Sequence, residues 1–258
     1  MIPIRSATEI DSIRAACAIV HKVQLVLEAA VAPGVSTQHL DELAEATIRD
    51  HGGVPAFKGY HGFPASICAS INAEAVHGFP RAAPLLDGDV VCVDVGVKLA
   101  GWYGDGAFTM GVGTISEEAR GLLATTRAAL DAGIQASVAG GRLTDISHAV
   151  ELAAIAGGAT VIREYGGYGI GRGLHEDPHI LNYGPPDRGP RLKAGHVFAI
   201  EPILSLGSAD VEVAADGWTT ITTDGSLAAH FEHTVALTAD GPCVLTLPAG
   251  QPAVGVPA

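Results

Sequence analysis

Residues 90–110 read VVCVDVGVKLAGWYGDGAFTM, two β-rich runs that each contain one aspartate. The runs predict an antiparallel hairpin, with Asp94 on the first strand and Asp105 on the second. A turn at Leu99 and Ala100 would set the two aspartates directly opposite, with Cβ atoms roughly 4.5–5.5 Å apart. Carboxylates so close repel each other, and a divalent cation between them removes the repulsion. A solvated hairpin face is the alternative, and the apolar setting of Asp94 argues against it.

Two further acids interrupt apolar runs in the second half of the chain. Glu201 lies in VFAIEPIL (197–204) and Glu232 lies in HFEHTVAL (230–237). An unpaired buried charge is costly. Four such acids are therefore better explained by two shared divalent ions about 3.5–4 Å apart than by separate ion pairs. Oxygen ligands favour Mn²⁺, Fe²⁺ or Co²⁺, with Zn²⁺ as a further option.

The order of the predicted elements repeats once. Helical periodicity covers residues 8–30, with Thr8 as the predicted N-cap, and returns at 36–51, 117–138 and 144–156. VAPG (31–34) matches VAGG (138–141) about 107 residues later, and each helix pair precedes β-rich sequence. We interpret this as an internal duplication. It predicts one α+β domain with pseudo-repeats at 8–113 and 114–245, a site at their junction, and a loose tail at 248–258.

Composition narrows the class of protein. The chain has 258 residues and a formal net charge of -13, which argues against a nucleic-acid partner. No apolar stretch is long enough to cross a bilayer, and the N-terminus lacks the apolar region of a secretory signal. The four cysteines form no Cys-x-x-Cys pair. We expect a cytoplasmic monomer that does not bind membranes.

Two of the eleven histidines are candidate site residues because they stand beside Gly and Pro turns, which carry side chains to the rims of sites. They are His77 in AVHGFP and His175 in GRGLHEDP. Each, taken alone, fits an ordinary loop histidine as well as a catalytic one. The glycine run at 166–173, GGYGIGRG, lacks the spacing of a phosphate-binding loop.

Several motifs together resemble the type I methionine aminopeptidases, which are pita-bread metallohydrolases of peptidase family M24. The motifs are SICASIN (66–72), HGFP (77–80), Asp94 and Asp105 with ten residues between them, GIGRGLHEDP (169–178), FAIEP (198–202) and FEHT (231–234). Their order and spacing hold from about residue 8 to about residue 245. The resemblance implies a pita-bread fold, with a curved antiparallel sheet and helices on its outer face.

The resemblance also implies roles for individual residues. Two divalent metals would be held by Asp94, Asp105, Glu201 and Glu232. They would activate a water molecule to attack the carbonyl of the peptide bond that follows an N-terminal methionine. Glu201 would also handle the proton, His175 would stabilise the oxyanion and His77 would contact the scissile amide. The methionine pocket would be lined by Tyr60, Phe63, Cys68, Leu174 and Trp218. The substrate would be the N-terminus of a peptide or nascent chain.

One position departs from the family pattern. Seven residues before His175, where these enzymes have a histidine metal ligand, this chain has Tyr168. A neutral phenol, with a pKa near 10, is a poor ligand for a divalent ion, whereas a tyrosinate would favour Fe³⁺. Three interpretations stay open. They are a weakened peptidase, a metalloenzyme with altered chemistry such as oxidation of a small molecule, and a non-catalytic peptide-binding protein.

Overall fold

The structure, a computed structural model, describes residues 2–248. Within that range it has four α-helices, α1 (Ala7–Ala30), α2 (Thr37–Asp50), α3 (Glu117–Ala136) and α4 (Leu143–Ala156). Each lies within two residues of a helix that the apolar periodicity predicts. None of the helices in the described range has the length and apolar composition of a bilayer span. Apart from Pro248, the predicted loose tail at 248–258 lies outside the described residues.

The N-terminus of α1 is capped by Ser6, so the prediction of Thr8 as the cap was wrong. The Ser6 hydroxyl accepts a hydrogen bond from the backbone N–H of Glu9 at 3.3 Å. The Glu9 carboxylate accepts one from the backbone N–H of Ser6 at 2.9 Å. This reciprocal capping box satisfies two N–H groups that a helix end leaves without a partner, whereas Thr8 already lies inside the first turn.

Replacing Ser6 with alanine is expected to lower the free energy of unfolding by about 1 kcal/mol, the usual effect of losing a cap. Chemical denaturation in the presence of a chelator measures this without a contribution from bound metal. Thr8→Ala is the matched control, because it removes a hydroxyl from the same helical turn. Equal losses in the two variants would contradict the assignment of the cap to Ser6.

The described range also contains fifteen β-strands. They are β1 (Val54–Pro55), β2 (Cys68–Ile71), β3 (Glu74–Val76), β4 (Val90–Leu99), β5 (Trp102–Gly111), β6 (Thr160–Val161), β7 (Gly166–Gly169), β8 (Glu176–Leu181), β9 (Val197–Ile200), β10 (Ile203–Ser205), β11 (Val211–Val213), β12 (Thr220–Thr222), β13 (Ala228–His230), β14 (His233–Thr238) and β15 (Gly241–Val244). The largest sheet has the order β15-β14-β9-β7-β8, and a second joins β1, β4, β2 and β5. All strand pairs in these two sheets are antiparallel. The predicted duplication and single domain stay predictions.

The β4–β5 hairpin is present, but its register differs from the prediction by two residues. The turn lies at Ala100 and Gly101, with φ of 48° and 83°, and not at Leu99 and Ala100. A two-residue turn with positive φ at both positions suits the twist of the strands, and glycine adopts it without strain. Asp94 therefore pairs with Ala107 and Asp105 with Gly96, so the direct opposition predicted for the two aspartates was wrong. They are diagonal neighbours instead.

The two aspartates still share a face, because a two-residue shift preserves the alternation of side chains. Helix α1 packs on the other face. A Cβ added to Gly104 would lie 2.7 Å from the Cys17 backbone nitrogen, so this strand and α1 approach closely. Asp105, the next residue along β5, consequently points away from α1. The hairpin thus presents both carboxylates on the face opposite the helix.

Both glutamates lie where a predicted strand is broken. The sequence predicts continuous strands over 197–204 and 230–237, but Glu201 falls between β9 and β10 and Glu232 falls between β13 and β14. Strand β9 pairs with β14, whereas β10 pairs with β13 in a different sheet. The chain therefore crosses twice between the same two sheets, and each crossing places a glutamate at their junction.

Candidate metal centre

The four predicted acids form one cluster. Oxygen atoms of Asp94, Asp105 and Glu232 lie within 4.8 Å of one another, and so do ligand atoms of Glu201, His230 and Glu232. Glu232 belongs to both groups and joins them. A backbone hydrogen bond joins the β4–β5 hairpin to Glu232, whose N–H donates to the carbonyl of Ala107 at 2.9 Å. The strands that the sequence singles out therefore meet at their acidic residues.

Burial makes this concentration of carboxyl groups electrostatically unfavourable. Asp105 and Glu232 are 1% and 0% exposed, and Glu201 is 9% exposed. Burial, followed by repulsion from the neighbouring carboxylates, raises the pKa of Asp94, Glu201 and Glu232 well above their ordinary values. Burial also raises the pKa of Asp105, to about 7, although hydrogen bonds from Tyr168 and from the Gly106 N–H oppose this. The four groups cannot all ionise at neutral pH without a cation.

Orphaned polar atoms show that the cluster suits metal ions. Within residues 2–248, four buried side-chain nitrogens or oxygens have no hydrogen-bond partner. Three of them are in this cluster: Asp94 Oδ1, Glu232 Oε2 and His230 Nε2. Buried polar atoms without partners are rare in folded proteins, and a site that binds an ion is one of the recognised reasons for them. Carboxylate and imidazole donors fit Mn²⁺, Fe²⁺, Co²⁺ and Zn²⁺.

Tyr168 enters the cluster as a hydrogen-bond donor. Its hydroxyl donates to Asp105 Oδ2 at 2.8 Å and to Glu232 Oε1 at 3.1 Å. Burial first, and then the surrounding carboxylates, raise the pKa of the phenol well above its ordinary value of about 10. The neutral phenol therefore satisfies two carboxylates. A tyrosinate would add one more negative charge to a site that already has four acids.

His230 is a site residue that the sequence did not predict. It ends β13, is 2% exposed, and its Nε2 lies 3.8 Å from Glu201 Oε2 and 3.9 Å from Glu232 Oε2. Burial lowers the pKa of this imidazole to about 3, so the ring is neutral. A usable signal was present, because His230 stands two residues before Glu232, and residues at that spacing in an extended chain share a face.

A cavity of about 620 Å³ opens onto the cluster. Of the five residues predicted to form an apolar pocket, Tyr60, Phe63, Cys68 and Trp218 line it. Leu174 does not lie on the cavity wall but is buried in the same apolar cluster. The rings of Phe63 and Trp218 pack edge to face with centroids 5.2 Å apart. Further lining residues that the sequence did not predict include Phe57, Val76, Tyr165 and Ile203, and the polar His61, Glu164, Glu176, Asp177 and His179.

His77 and His175 both line this cavity. His175 Nδ1 lies 2.8 Å from the Tyr60 hydroxyl, and burial lowers the pKa of His175 to about 4, so the ring is neutral near pH 7. His77 has a φ of 61°, an unusual backbone conformation for a residue other than glycine, and its ring packs against Tyr165. Strained residues cluster at functional sites. The turn therefore holds the His77 ring at the cavity wall.

Comparison with known proteins agrees with this geometry. The chain is 51% identical to methionine aminopeptidase 1 from Mycobacterium tuberculosis over 254 residues, which is 96% of each chain. It is 47% identical to methionine aminopeptidase from Clostridium perfringens, over 96% of this chain and 99% of that one. A crystal structure of methionine aminopeptidase from Rickettsia prowazekii superposes with a TM-score of 0.94 at 40% identity, covering 96% of this chain and all of that one.

More distant structures share the architecture. A prolidase from Pyrococcus furiosus, 22% identical, superposes with a TM-score of 0.78 over 95% of this chain, which shows a common fold. These likenesses confirm the predicted pita-bread fold and the resemblance to methionine aminopeptidases. A sequence model of metallopeptidase family M24 matches residues 11–239, nearly the whole chain. The chain belongs to metallopeptidase family M24.

Proposed function

We propose that the protein is a metal-dependent aminopeptidase that removes N-terminal methionine from peptides and nascent chains. The observation that carries the proposal is the buried acidic cluster, with its orphaned ligand atoms, at the wall of a largely apolar cavity. A hydrolase of this kind needs an electrophilic centre beside a pocket that selects one side chain. The names of the relatives in M. tuberculosis and C. perfringens support the same activity.

Two divalent ions would be held by Asp94, Asp105, Glu201 and Glu232. Manganese, iron and cobalt suit these carboxylates, and zinc is a further option. When bound, such ions supply Lewis acidity and lower the pKa of a water molecule. The protein's own contribution is to hold four carboxylates that it could not ionise together without the ions. Tyr168, as a neutral phenol, hydrogen-bonds two of them and is not required as a ligand.

Glu201 and the two histidines would handle the proton and the developing charge. Glu201 is more exposed than Asp105 and Glu232, and it lines the cavity. Its carboxylate can therefore accept the proton of the attacking water. In the tautomer that accepts a hydrogen bond from the Tyr60 hydroxyl at Nδ1, the neutral ring of His175 has its proton on Nε2. That N–H can donate to the oxyanion, and His77 can hydrogen-bond the scissile amide.

The methionine side chain would occupy the pocket of Tyr60, Phe63, Cys68 and Trp218. Its aromatic walls suit an unbranched thioether, which adapts to irregular apolar surfaces and packs well against rings. Leu174 supports the pocket from the same buried cluster. The four predicted wall residues include no charged group that could pair with the side chain of a lysine or glutamate.

The proposal includes a cytoplasmic monomer whose partner is the N-terminus of another polypeptide. All four cysteines are free, which suits a reducing compartment where nascent chains emerge. The net charge of -13 argues against nucleic acid as the ligand. A small-molecule substrate for altered metal chemistry was the alternative. The hydrogen bonds of the Tyr168 hydroxyl to two carboxylates favour the peptidase, because they keep that phenol neutral.

Metal-loaded protein is expected to release methionine from Met-Ala-Ser, to lose that activity with a chelator and to regain it with Mn²⁺. Met-Lys-Ser tests the second position, where a small residue is expected to be preferred. Lys-Ala-Ser and Glu-Ala-Ser are the matched controls and are expected to remain intact, because the four predicted wall residues offer their charges no partner. Quantifying free amino acids measures all four peptides. Equal release from every peptide would exclude a methionine-selective pocket, and absence of release together with absence of bound metal would exclude the enzyme.

A further inference from the structure

His230 is held rigidly beside the acidic cluster. Its backbone N–H donates to the Thr109 hydroxyl oxygen at 3.0 Å, and the same hydroxyl donates to the His230 carbonyl at 2.6 Å. This reciprocal pair of hydrogen bonds joins the end of β13 to β5 and fixes the backbone position of His230. The ring is buried, and its ligand atom lies within 4.8 Å of ligand atoms of Glu201 and Glu232. The fold therefore directs the imidazole towards the carboxylates.

The Nε2 atom of His230 has no hydrogen-bond partner although it is buried. Its distances to Glu201 Oε2 and Glu232 Oε2, 3.8 and 3.9 Å, are too long for hydrogen bonds. Two donor atoms on one metal ion, each about 2.1 Å from it, lie at most about 4.2 Å apart. The spacing thus fits three ligands around one ion. Glu232 Oε2, which also lacks a partner, is one of them.

The phenol at position 168 is engaged differently. Its hydroxyl donates a hydrogen bond to Asp105 and another to Glu232, so it acts as a donor towards the atoms that bind metal. A metal ligand must offer a lone pair, which the Nε2 of a neutral histidine does when the ring proton is on Nδ1. The cluster therefore contains one side chain that offers nitrogen to a metal, and it comes from β13 and not from β7, where the related enzymes place theirs.

We propose that His230 is a direct metal ligand that supplies the nitrogen donor absent at Tyr168, and that it binds one ion together with Glu201 and Glu232. The inference rests on the proposed metallopeptidase function. It relocates one ligand from β7 to β13 and leaves the four acids in their roles. The site then keeps a mixed nitrogen and oxygen ligand set despite the tyrosine.

His230→Gln tests the assignment, because glutamine keeps a polar side chain but lacks the imidazole. Mass spectrometry of the metal content and calorimetric titration with Mn²⁺ are expected to show one of the two sites weakened by at least about 100-fold. The loss of indirect partners alone costs about 10–100-fold. Pulsed electron paramagnetic resonance of the Mn²⁺-loaded wild type is expected to show hyperfine coupling to a histidine nitrogen. That coupling is expected to disappear in the variant.

His196→Gln is the matched control, since His196 is equally buried and bonds its Nδ1 to the Lys193 N–H outside the cluster. Its metal affinity is expected to equal that of the wild type. A wild type that binds two ions and cleaves methionine, with unchanged Mn²⁺ affinity in His230→Gln, would overturn this inference alone. Absence of nitrogen coupling in the wild type would do the same and does not depend on how the variant folds. A wild type that binds no metal would overturn the proposed function as well.

Discussion

Replacing Glu201 with glutamine is expected to lower kcat/KM for release of methionine from Met-Ala-Ser by at least about 1,000-fold. General acid–base catalysis alone contributes on the order of 10²–10⁴ in rate, and Glu201 would also hold a metal ion. The change is nearly isosteric, so it removes a charge and a proton acceptor and leaves the volume intact. Initial rates at saturating and at low peptide concentration separate kcat from KM.

The same variant is expected to fold at least as stably as the wild type without metal. Folding raises the pKa of Glu201 well above its ordinary value because of burial and of Asp94. An acid whose pKa rises on folding destabilises the folded state once the pH exceeds its unfolded pKa of about 4.3. Glutamine removes that destabilisation at neutral pH. A large loss of activity with unchanged or increased stability would separate a functional role from a structural one.

Glu28→Gln provides the control for this experiment. Glu28 is exposed on α1, and its change from glutamate to glutamine is chemically identical. Activity of this variant is expected to equal that of the wild type. If Glu201→Gln retained activity within about threefold of the wild type, a rate change far below that of losing a catalytic base, the proposed proton acceptor and ligand would both be wrong.

The hairpin illustrates which part of the fold is readable from sequence. Alternation along 90–110 predicts two strands and a shared face for Asp94 and Asp105. A register error of two residues does not change which face a side chain is on. The register was wrong because it depends on which residues occupy the turn. Gly101 was the available signal, since positive φ at the second turn position favours glycine.

The strand breaks at Glu201 and Glu232 could not be predicted from the local sequence pattern. A β-rich run has the same composition whether it stays in one sheet or crosses to another. The crossing depends on pairing with strands far away in the sequence, β14 for β9 and β13 for β10. At the second crossing, Glu232 itself was the only local mark of the junction. Pro202, which has no backbone N–H to donate, agrees with a break after Glu201.

The missed histidine has a related cause. His77 and His175 stand beside turns, which mark them in the sequence, whereas His230 stands inside β-rich sequence, where its spacing of two residues from Glu232 is the one signal. Its burial and its distance from Glu201 depend on how the two sheets meet. Position 168 showed that a nitrogen ligand was missing, and only the three-dimensional arrangement shows another imidazole within reach of the same carboxylates.

Changing Tyr168 to histidine is expected to rescue the His230→Gln variant. The resemblance alone predicts that Tyr168→His raises metal affinity and methionine release in the wild-type chain. With His230 already supplying nitrogen, that gain is small in the wild type. In the His230→Gln background one nitrogen is missing, and Tyr168→His is expected to recover most of the roughly 100-fold loss in Mn²⁺ affinity. Calorimetric titration of the four proteins completes a double-mutant cycle.

Strong non-additivity is the result that identifies a shared role, because residues that serve the same ligand position cannot contribute independently. Tyr168 is suited to the exchange, since its hydroxyl already lies within 3.1 Å of Glu232, an acid common to both groups of ligand atoms. Tyr183→His, made in the His230→Gln background, controls for the added histidine, because the Tyr183 ring packs against Arg163 away from the cluster. Equal gains from Tyr168→His in both backgrounds would mean that the two positions act separately, and His230 would then not be the substitute for the missing ligand.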